Sequence, residues 1–389
     1  MSGFKTVDEV SALIKAGKAL SLGGVAELLE QLPQGQWIGG TSPYFMAVEG
    51  GVIERERIFV EELPELLTAS KVQTYGPEDL ESIPKDGFGN GFSVMVLPAF
   101  SEAHLQFAKD APDIPGIFNK PLIGWVTGVH LDELGSVTPA VYDGTTGTRH
   151  ENAGIVLHVE LPESHGAVID IINLFKPGNG PTLTFETDGW EVENVLVDGE
   201  KKNFAEYCRS IEHDVRLPLV VETYGSGINA CLQGIPEDDS AVKLYAPVFR
   251  GLEYRFADQL EGDYKTEFMK ALKIETEGVC LGYNCVLNFV YSELEGVELP
   301  IGGPWGASPE LTVRLGTLLA AHPDSGIVLH CRSGTRSAHL YAAWLIQTGE
   351  VPETVFETMG WPGSRDMALV QALLNSAHSP QGVLPRVPR

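Results

Sequence analysis

No stretch of eighteen apolar residues occurs in this 389-residue chain, which excludes an ordinary membrane-spanning helix. The N-terminal MSGFKTVDEV has neither a basic region nor an apolar core, so no secretory signal is expected and the cytoplasm is the expected location. Basic residues are scarce: 27 Lys and Arg against 53 Asp and Glu give a net charge of -26. Such a field repels phosphate at long range and argues against nucleic acid or an anionic membrane as partner. Five cysteines, an odd number at irregular spacing, exclude a disulfide framework, and no CxxC pairing points to a metal or other cofactor. Walker loops, close repeats and low-complexity tracts are also lacking. The carboxylate pairs in VEELPE, EDLE and PEDD form no glycosidase or metal pattern and read as a solvated face.

What is present is a foldable chain, with 43% hydrophobic and 21% charged residues and length enough for two domains. The charge divides it. Residues 297–389 hold seven acidic residues, six arginines and no lysine, a net -1, which leaves -25 for residues 1–296. The last lysine is Lys273, and glycines and prolines cluster in YSELEGVELPIGGPWGASPE, so the boundary is expected between about 286 and 308.

In the tail, GVELPI reads as a strand and SPELTVRLGTLLAAH as a helix capped by Ser308, with Pro309 in its first turn. A strand, GIVLHC, follows. RSAHLYAAWLIQTG is then predicted to be a helix ended by Gly349, VPETVFETMG a short one ended by Gly360, and SRDMALVQALLNSA a third. This is a small α/β unit whose two strands can lie parallel.

The stretch GIVLHCRSGTRSAHL, residues 326–340, carries the chemistry. A cysteine at a strand end, followed by a glycine-containing turn into a helix, meets unpaired amides and the positive end of a helix dipole. With Arg332 and Arg336 beside it, the Cys331 thiol is expected to ionise readily and act as a nucleophile. Ser333, Gly334 and Thr335 form an anion cradle, Ser337 caps the helix and Arg336 is placed to fork onto an oxyanion. The alternative is a buried, inert thiol with solvated arginines.

HCRSGTRSAHL, with VELPIGGPWGASPELTV before it and AAWLIQTGEVPETVFE after, resembles the rhodanese-like and dual-specificity-phosphatase-like domains described as beta-lactamase-hydrolase-like. The resemblance implies a phosphatase-type fold with a short active-site loop. Tyrosine phosphatases have five residues between cysteine and arginine, whereas rhodaneses commonly have four, as between Cys331 and Arg336 here. The smaller ring of amides favours sulfur transfer through a Cys331 persulfide.

A phosphatase also needs a general acid, in such families an Asp on an earlier loop. No Asp lies between Asp263 and Asp324, and Asp324, seven residues before Cys331 on the same strand, is roughly 20 Å away at ~3.3 Å per residue. Asp366 or Glu298 could substitute, so a cysteine phosphatase stays open beside the sulfurtransferase. So does a vestigial tail, because the strand and helix that precede VELPI in this group are replaced by CLGYNCVLNFVYSELEG, which belongs by pattern to the first unit.

The first 296 residues read as a sheet-rich α+β domain. Strands are predicted in GQWIGGTS, GFSVMVLPAF, KPLIGWVTGVHL, AGIVLHVELP, AVIDIINLF, WEVENVLVDGE, AVKLYAPVF and GYNCVLNFVY. Helices are predicted in TVDEVSALIKAG, VAELLEQL and SEAHLQFAKDA. WIGGTSPYFM, VLVDGEKKNFAEY, PVFRG, CLGYNCVLN and GGPWGASPE together resemble the FIST family of sensory domains and an uncharacterised relative of it. That implies a signal-transduction role for residues 1–296 and a small ligand, amino-acid-like or in some relatives haem. Trp37, Gly39, Gly40 and Tyr44, with Phe45, are the candidate pocket, and His104 and His130 the only haem-ligand candidates, each more simply a structural histidine. Cys280 and Cys285, five apart in a strand-like run, would point to opposite faces and share no metal. Cys208 and Cys231 read as core thiols, although any of the four could resolve an oxidised Cys331. The expected partners are therefore a small-molecule ligand and a sulfur donor or acceptor.

Overall fold

A computed structural model describes residues 3–47, 50–63, 66–169, 171–223, 225–271, 281–296, 335–349, 351, 352, 354–359, 370 and 374. It is a mixed α/β protein with several sheets. The chain divides into two compact units, one of residues 1–274 with 282–299, the other of residues 275–281 with 300–389.

The first unit begins with β1 (Gly3–Lys5) and α1 (Val7–Lys15). Thr6 and Glu9 form a reciprocal capping box that satisfies two otherwise orphaned amides, so TVDEVSALIKAG starts its helix as predicted. Then follow β2 (Leu20–Gly24), α2 (Ala26–Leu29), β3 (Trp37–Thr41), the hairpin β4 (Tyr44–Ala47) and β5 (Gly50–Ile53), β6 (Ile58–Glu62) and β7 (Ala69–Tyr75). After α3 (Ile83–Asp86) come β8 (Gly91–Pro98), α4 (Glu102–Asp110) capped by Ser101, β9 (Leu122–Thr127), β10 (Val141–Asp143), β11 (Thr148–His150) and β12 (Gly154–Glu160).

These strands build two sheets, β1-β6-β2-β3-β10-β11 and β7-β12-β8-β9. Strand alternation sends Leu20, Leu22, Trp37, Ile58, Val60 and Tyr142 to one face of the first, where Val10, Ile14 and Leu29 of α1 and α2 cover them. Its other face meets the second sheet. There Gly40 stands so close to Thr127, Val96 and Trp125 that a Cβ would collide with all three. Thr74 bridges the gap by donating to Asp143 at 3.2 Å. The outer face of the second sheet packs Tyr75, Met95, Leu97 and Val156 under Leu80, Ile83 and Ala103. The order is thus helices, sheet, sheet, helices.

The rest of the first unit is a second lobe of small sheets. It contains β13 (Leu183–Thr184), β14 (Gly189–Val192), β15 (Asn194–Val197), β16 (Glu200–Asn203), α5 (Phe204–Ser210), β17 (Leu219–Thr223), β18 (Ser226–Ala230), β19 (Val242–Val248) and β20 (Arg255–Phe256). Its core holds Phe185 edge-on to both Phe204 and Tyr254, at 5.6 and 5.3 Å. WEVENVLVDGE, read as one strand, is two, broken at Glu193. Between the lobes, Lys109 at 2.8 Å and Arg250 at 3.3 Å share Asp188, and Trp190 packs on His104 and Phe100.

Two strand expectations fail. The described residues of AVIDIINLF form no strand; Val168 is 88% exposed and Ile171 73%, so this apolar run has nothing to pack on. GYNCVLNFVY is not a strand but leads into a helix, α7 (Val286–Tyr291), after α6 (Tyr264–Ala271). Leu287 and Phe289 are its buried residues, and an apolar run this short does not reveal its period. The opposite-faces argument for Cys280 and Cys285 therefore fails at Cys285, the α7 N-cap, while Cys280 lies outside the described residues. The α7 segment returns to the first lobe: Gly296 donates to the Gly51 carbonyl at 2.9 Å, and Phe289 lies against Gly51.

The second unit shows α8 (Thr335–Gln347) and α9 (Val355–Thr358) around Ala342, Ala343, Val355, Phe356 and Val370. α8 ends where the sequence predicts, with Gly349 at φ 112° following it. Among the described residues no helix is long and apolar enough to cross a membrane.

Candidate functional site: an open groove and a cysteine loop

Strand β15 runs into the turn Asp198-Gly199, both at positive φ (48° and 86°), and returns as β16. Two positive-φ residues make the tight hairpin turn that suits strand twist, which is why Asp-Gly stands here. The turn is tied to the strand beside it. The Thr182 amide donates to Asp198 Oδ1 and the Asp198 amide to the Thr182 carbonyl, each at 2.9 Å.

Above this hairpin opens a groove of about 650 Å³. Arg255 and Lys202 bring positive charge to it, Asp198 and Glu200 negative charge, and Asn179 and Tyr207 add uncharged polar groups. Arg255 donates one hydrogen bond, to Thr182 Oγ1 at 3.4 Å; Lys202 pairs with Glu200 at 3.3 Å. Burial, then nearby Cys208 and Asp198, push the Tyr207 phenol up, so it stays a proton donor. A guanidinium fork suits a carboxylate and a carboxylate suits an ammonium. Groups of both kinds thus line this open groove.

The expected pocket of Trp37, Gly39, Gly40 and Tyr44 does not converge. Trp37 is buried in the core under α1, its indole donating to the Pro33 carbonyl at 2.9 Å. Gly39 faces the Trp37 ring, whereas Gly40 faces the other sheet. Tyr44 lies elsewhere, stacked on His130 at 5.5 Å, its hydroxyl accepting from the Leu131 amide. His104 is buried, its Nδ1 has no hydrogen-bond partner, and burial pushes its pKa down to about 4. Burial drives the Cys208 and Cys231 thiols up to about 12 and raises that of Cys285 as well, which disfavours the thiolate near neutrality at all three. Among the described residues no cluster of His, Cys, Asp and Glu could hold a metal.

Cys331, Arg332, Ser333, Gly334 and Asp366 lie outside the described residues. Thr335, Arg336 and Ser337 belong to α8, whose described residues begin at Thr335. The groove residues Arg255, Lys202 and Tyr207 were not foreseen. Lys202 and Tyr207 lie in the same stretch as the Asp198-Gly199 turn, VLVDGEKKNFAEY, but the walls that make it a groove, residues 179–182 and Arg255, come from elsewhere in the chain.

No curated protein and no solved structure matches this chain. The model of one family, described as a family of unknown function and labelled DUF6976, matches residues 5–306, most of the first unit and none of the Cys331 loop. The chain belongs to that family.

Proposed function

We propose that this protein joins a FIST-like body, which senses a small zwitterionic ligand, to a rhodanese-like sulfur-transferring tail. The sequence carries the catalytic half of the reading: CRSG stands immediately before the helical residues of α8, and a strand-to-helix loop of that composition would aim amides at an anion. In the reaction the Cys331 thiolate attacks the outer sulfur of a thiosulfate-like donor. The sulfur–sulfur bond breaks, sulfite leaves with its electron pair, and the persulfide passes its outer sulfur to an acceptor thiolate. Arg336 and Arg332 hold the sulfonate oxygens while the amides of residues 332–336 cradle the anion.

The sensing half rests on the groove. Arg255 and Lys202 would take the ligand carboxylate, Asp198 its ammonium, and Tyr207 would donate to a remaining acceptor.

Intact-mass measurement after incubation with thiosulfate tests the tail. One added sulfur, absent in Cys331→Ser, is expected; no adduct on the wild type refutes sulfur transfer. Thermal melting with L-glutamate and glycine tests the groove, with a rise in midpoint expected in the wild type and lost in Arg255→Ala. A second reading, a purely ligand-binding protein with a vestigial tail, is favoured by one observation: the family match ends at residue 306, before the cysteine loop. It predicts ligand stabilisation without the sulfur adduct.

A further inference from the structure

Beneath the glycine-rich loop DGFGNG, residues 86–91, four side chains from different elements are hydrogen-bonded in a row. Ser93 on β8 and His158 on β12 are direct cross-strand partners, and Ser93 Oγ lies 2.8 Å from His158 Nδ1. On the far side of the ring, His158 Nε2 is 2.8 Å from the Tyr75 hydroxyl, which donates to Asp86 Oδ2 at 3.0 Å. His158 is fully buried, Tyr75 3% exposed and Ser93 6%.

The direction of every proton in this row follows from its end. A carboxylate only accepts, so the single hydroxyl proton of Tyr75 points to Asp86. The Tyr75 oxygen must then accept from His158 Nε2–H, which leaves Nδ1 with its lone pair free. That lone pair faces the Ser93 hydroxyl. Hydroxyl, basic nitrogen, orienting group and carboxylate thus stand in the order that activates a serine.

A cavity of about 10 Å³, room for one water, adjoins Ser93 and is walled by Ile83, Pro84, Ile117, Pro121, Leu122 and Lys120. That space is far smaller than an acyl group, so a substrate would have to be admitted by opening of the roof, and Lys120 brings a positive charge to its wall. The roof is thin. α3 has four residues, the 3-10 turn Ile117–Asn119 three, and they are bridged by Lys120 Nζ donating to the Gly87 carbonyl at 2.7 Å. One-turn helices beside a loop with Gly87, Gly89 and Gly91 are the elements that open most readily.

We propose that Ser93 is a nucleophile with His158 as its base, in a second catalytic site that takes short acyl groups from activated esters. Ser93 Oγ bonds to the acyl carbon as its proton passes to His158 Nδ1, and the carbonyl electrons move onto an oxyanion facing Lys120. Collapse of that intermediate breaks the ester bond, and the leaving oxygen takes the proton from His158. Water, activated by the same nitrogen, then cleaves the acyl-serine and restores the site.

The test is p-nitrophenyl acetate added to the full-length protein at pH 7, followed by nitrophenolate release and by peptide mapping after acid quench. Acetylation of Ser93, with release lost in Ser93→Ala and roughly tenfold slower in Tyr75→Phe, is expected, since the latter removes one hydrogen bond to the base. Release should already be at its plateau by pH 6. Burial, Lys71 and Lys120 hold the His158 pKa near 4 against the opposing pull of Asp86, so the imidazole is neutral above that. Wild-type release equal to that of a folded Ser93→Ala variant, with acetyl found only elsewhere, overturns the proposal.

Discussion

The buried imidazole of His104 makes this protein acid-sensitive in a window that a single substitution should close. In the unfolded chain the ring protonates near 6.5; in the folded protein burial alone holds its pKa at about 4. The unfolded state therefore binds the proton first as pH falls. The stability at stake is present in full above 6.5 and is lost as pH descends toward 4. Linkage between those values gives a loss of about 2.5 kcal/mol by pH 4.5, at about 1.4 kcal/mol per pH unit. His104→Phe removes the titration, keeps a ring in the tilted contact with Trp190 at 5.6 Å, and sacrifices no hydrogen bond at Nδ1, which has none. Urea unfolding at pH 7 and pH 4.5 is the assay. The variant should match the wild type at pH 7 to within about 1 kcal/mol and exceed it by about 2 kcal/mol at pH 4.5, since carboxylate losses are common to both. An identical fall in stability for the two proteins would refute the assignment of this window to His104.

Glu61 has the opposite sign. Burial lifts its carboxyl from 4.5 to about 7, against hydrogen bonds from Tyr283 and the Gly282 backbone, so its cost is absent below 4.5 and grows as pH rises to 7. Glu61→Gln should stabilise the protein at pH 8 by about 1–3 kcal/mol and leave pH 4 unchanged, read from the same urea curves. Gly40→Ala should cost about 1–3 kcal/mol in thermal melts, because its methyl would meet Val96 at 2.8 Å and Trp125 at 2.9 Å between two packed sheets. Asp188, held at about 2 by the Arg250 amide and Lys109, anchors two cations between the lobes. Asp188→Asn should lower the melting midpoint, by about 1–2 kcal/mol of stability, and the gap should narrow as salt is raised.

Local signals were legible wherever one short stretch contained the whole cause. Thr6 and Glu9 announce α1, Ser101 announces α4, and the leucine and alanine spacing with Gly349 bounds α8. Asp198-Gly199 likewise fixes its own turn. What escaped depends on distant partners. Ser93 and His158 are 65 residues apart and Tyr75 and His158 83, so their row exists only once β7, β12 and β8 are paired. Trp37 shows the converse: an aromatic next to two glycines suggested a pocket, but strand alternation turned it into the core.

The segment of residues 282–299 belongs to the first unit together with residues 1–274, so that unit is completed by chain that comes after α6. A protease that cuts between Ile274 and Gly282 would sever the chain and yet release neither piece, since Phe289 and Gly296 would still grip Gly51 without any covalent bond. The two halves of such a nicked protein would behave as complementing fragments. A recombinant body meant to fold alone must carry the α7 segment through Gly296, and one ended at residue 271 would lack a piece of its own interior.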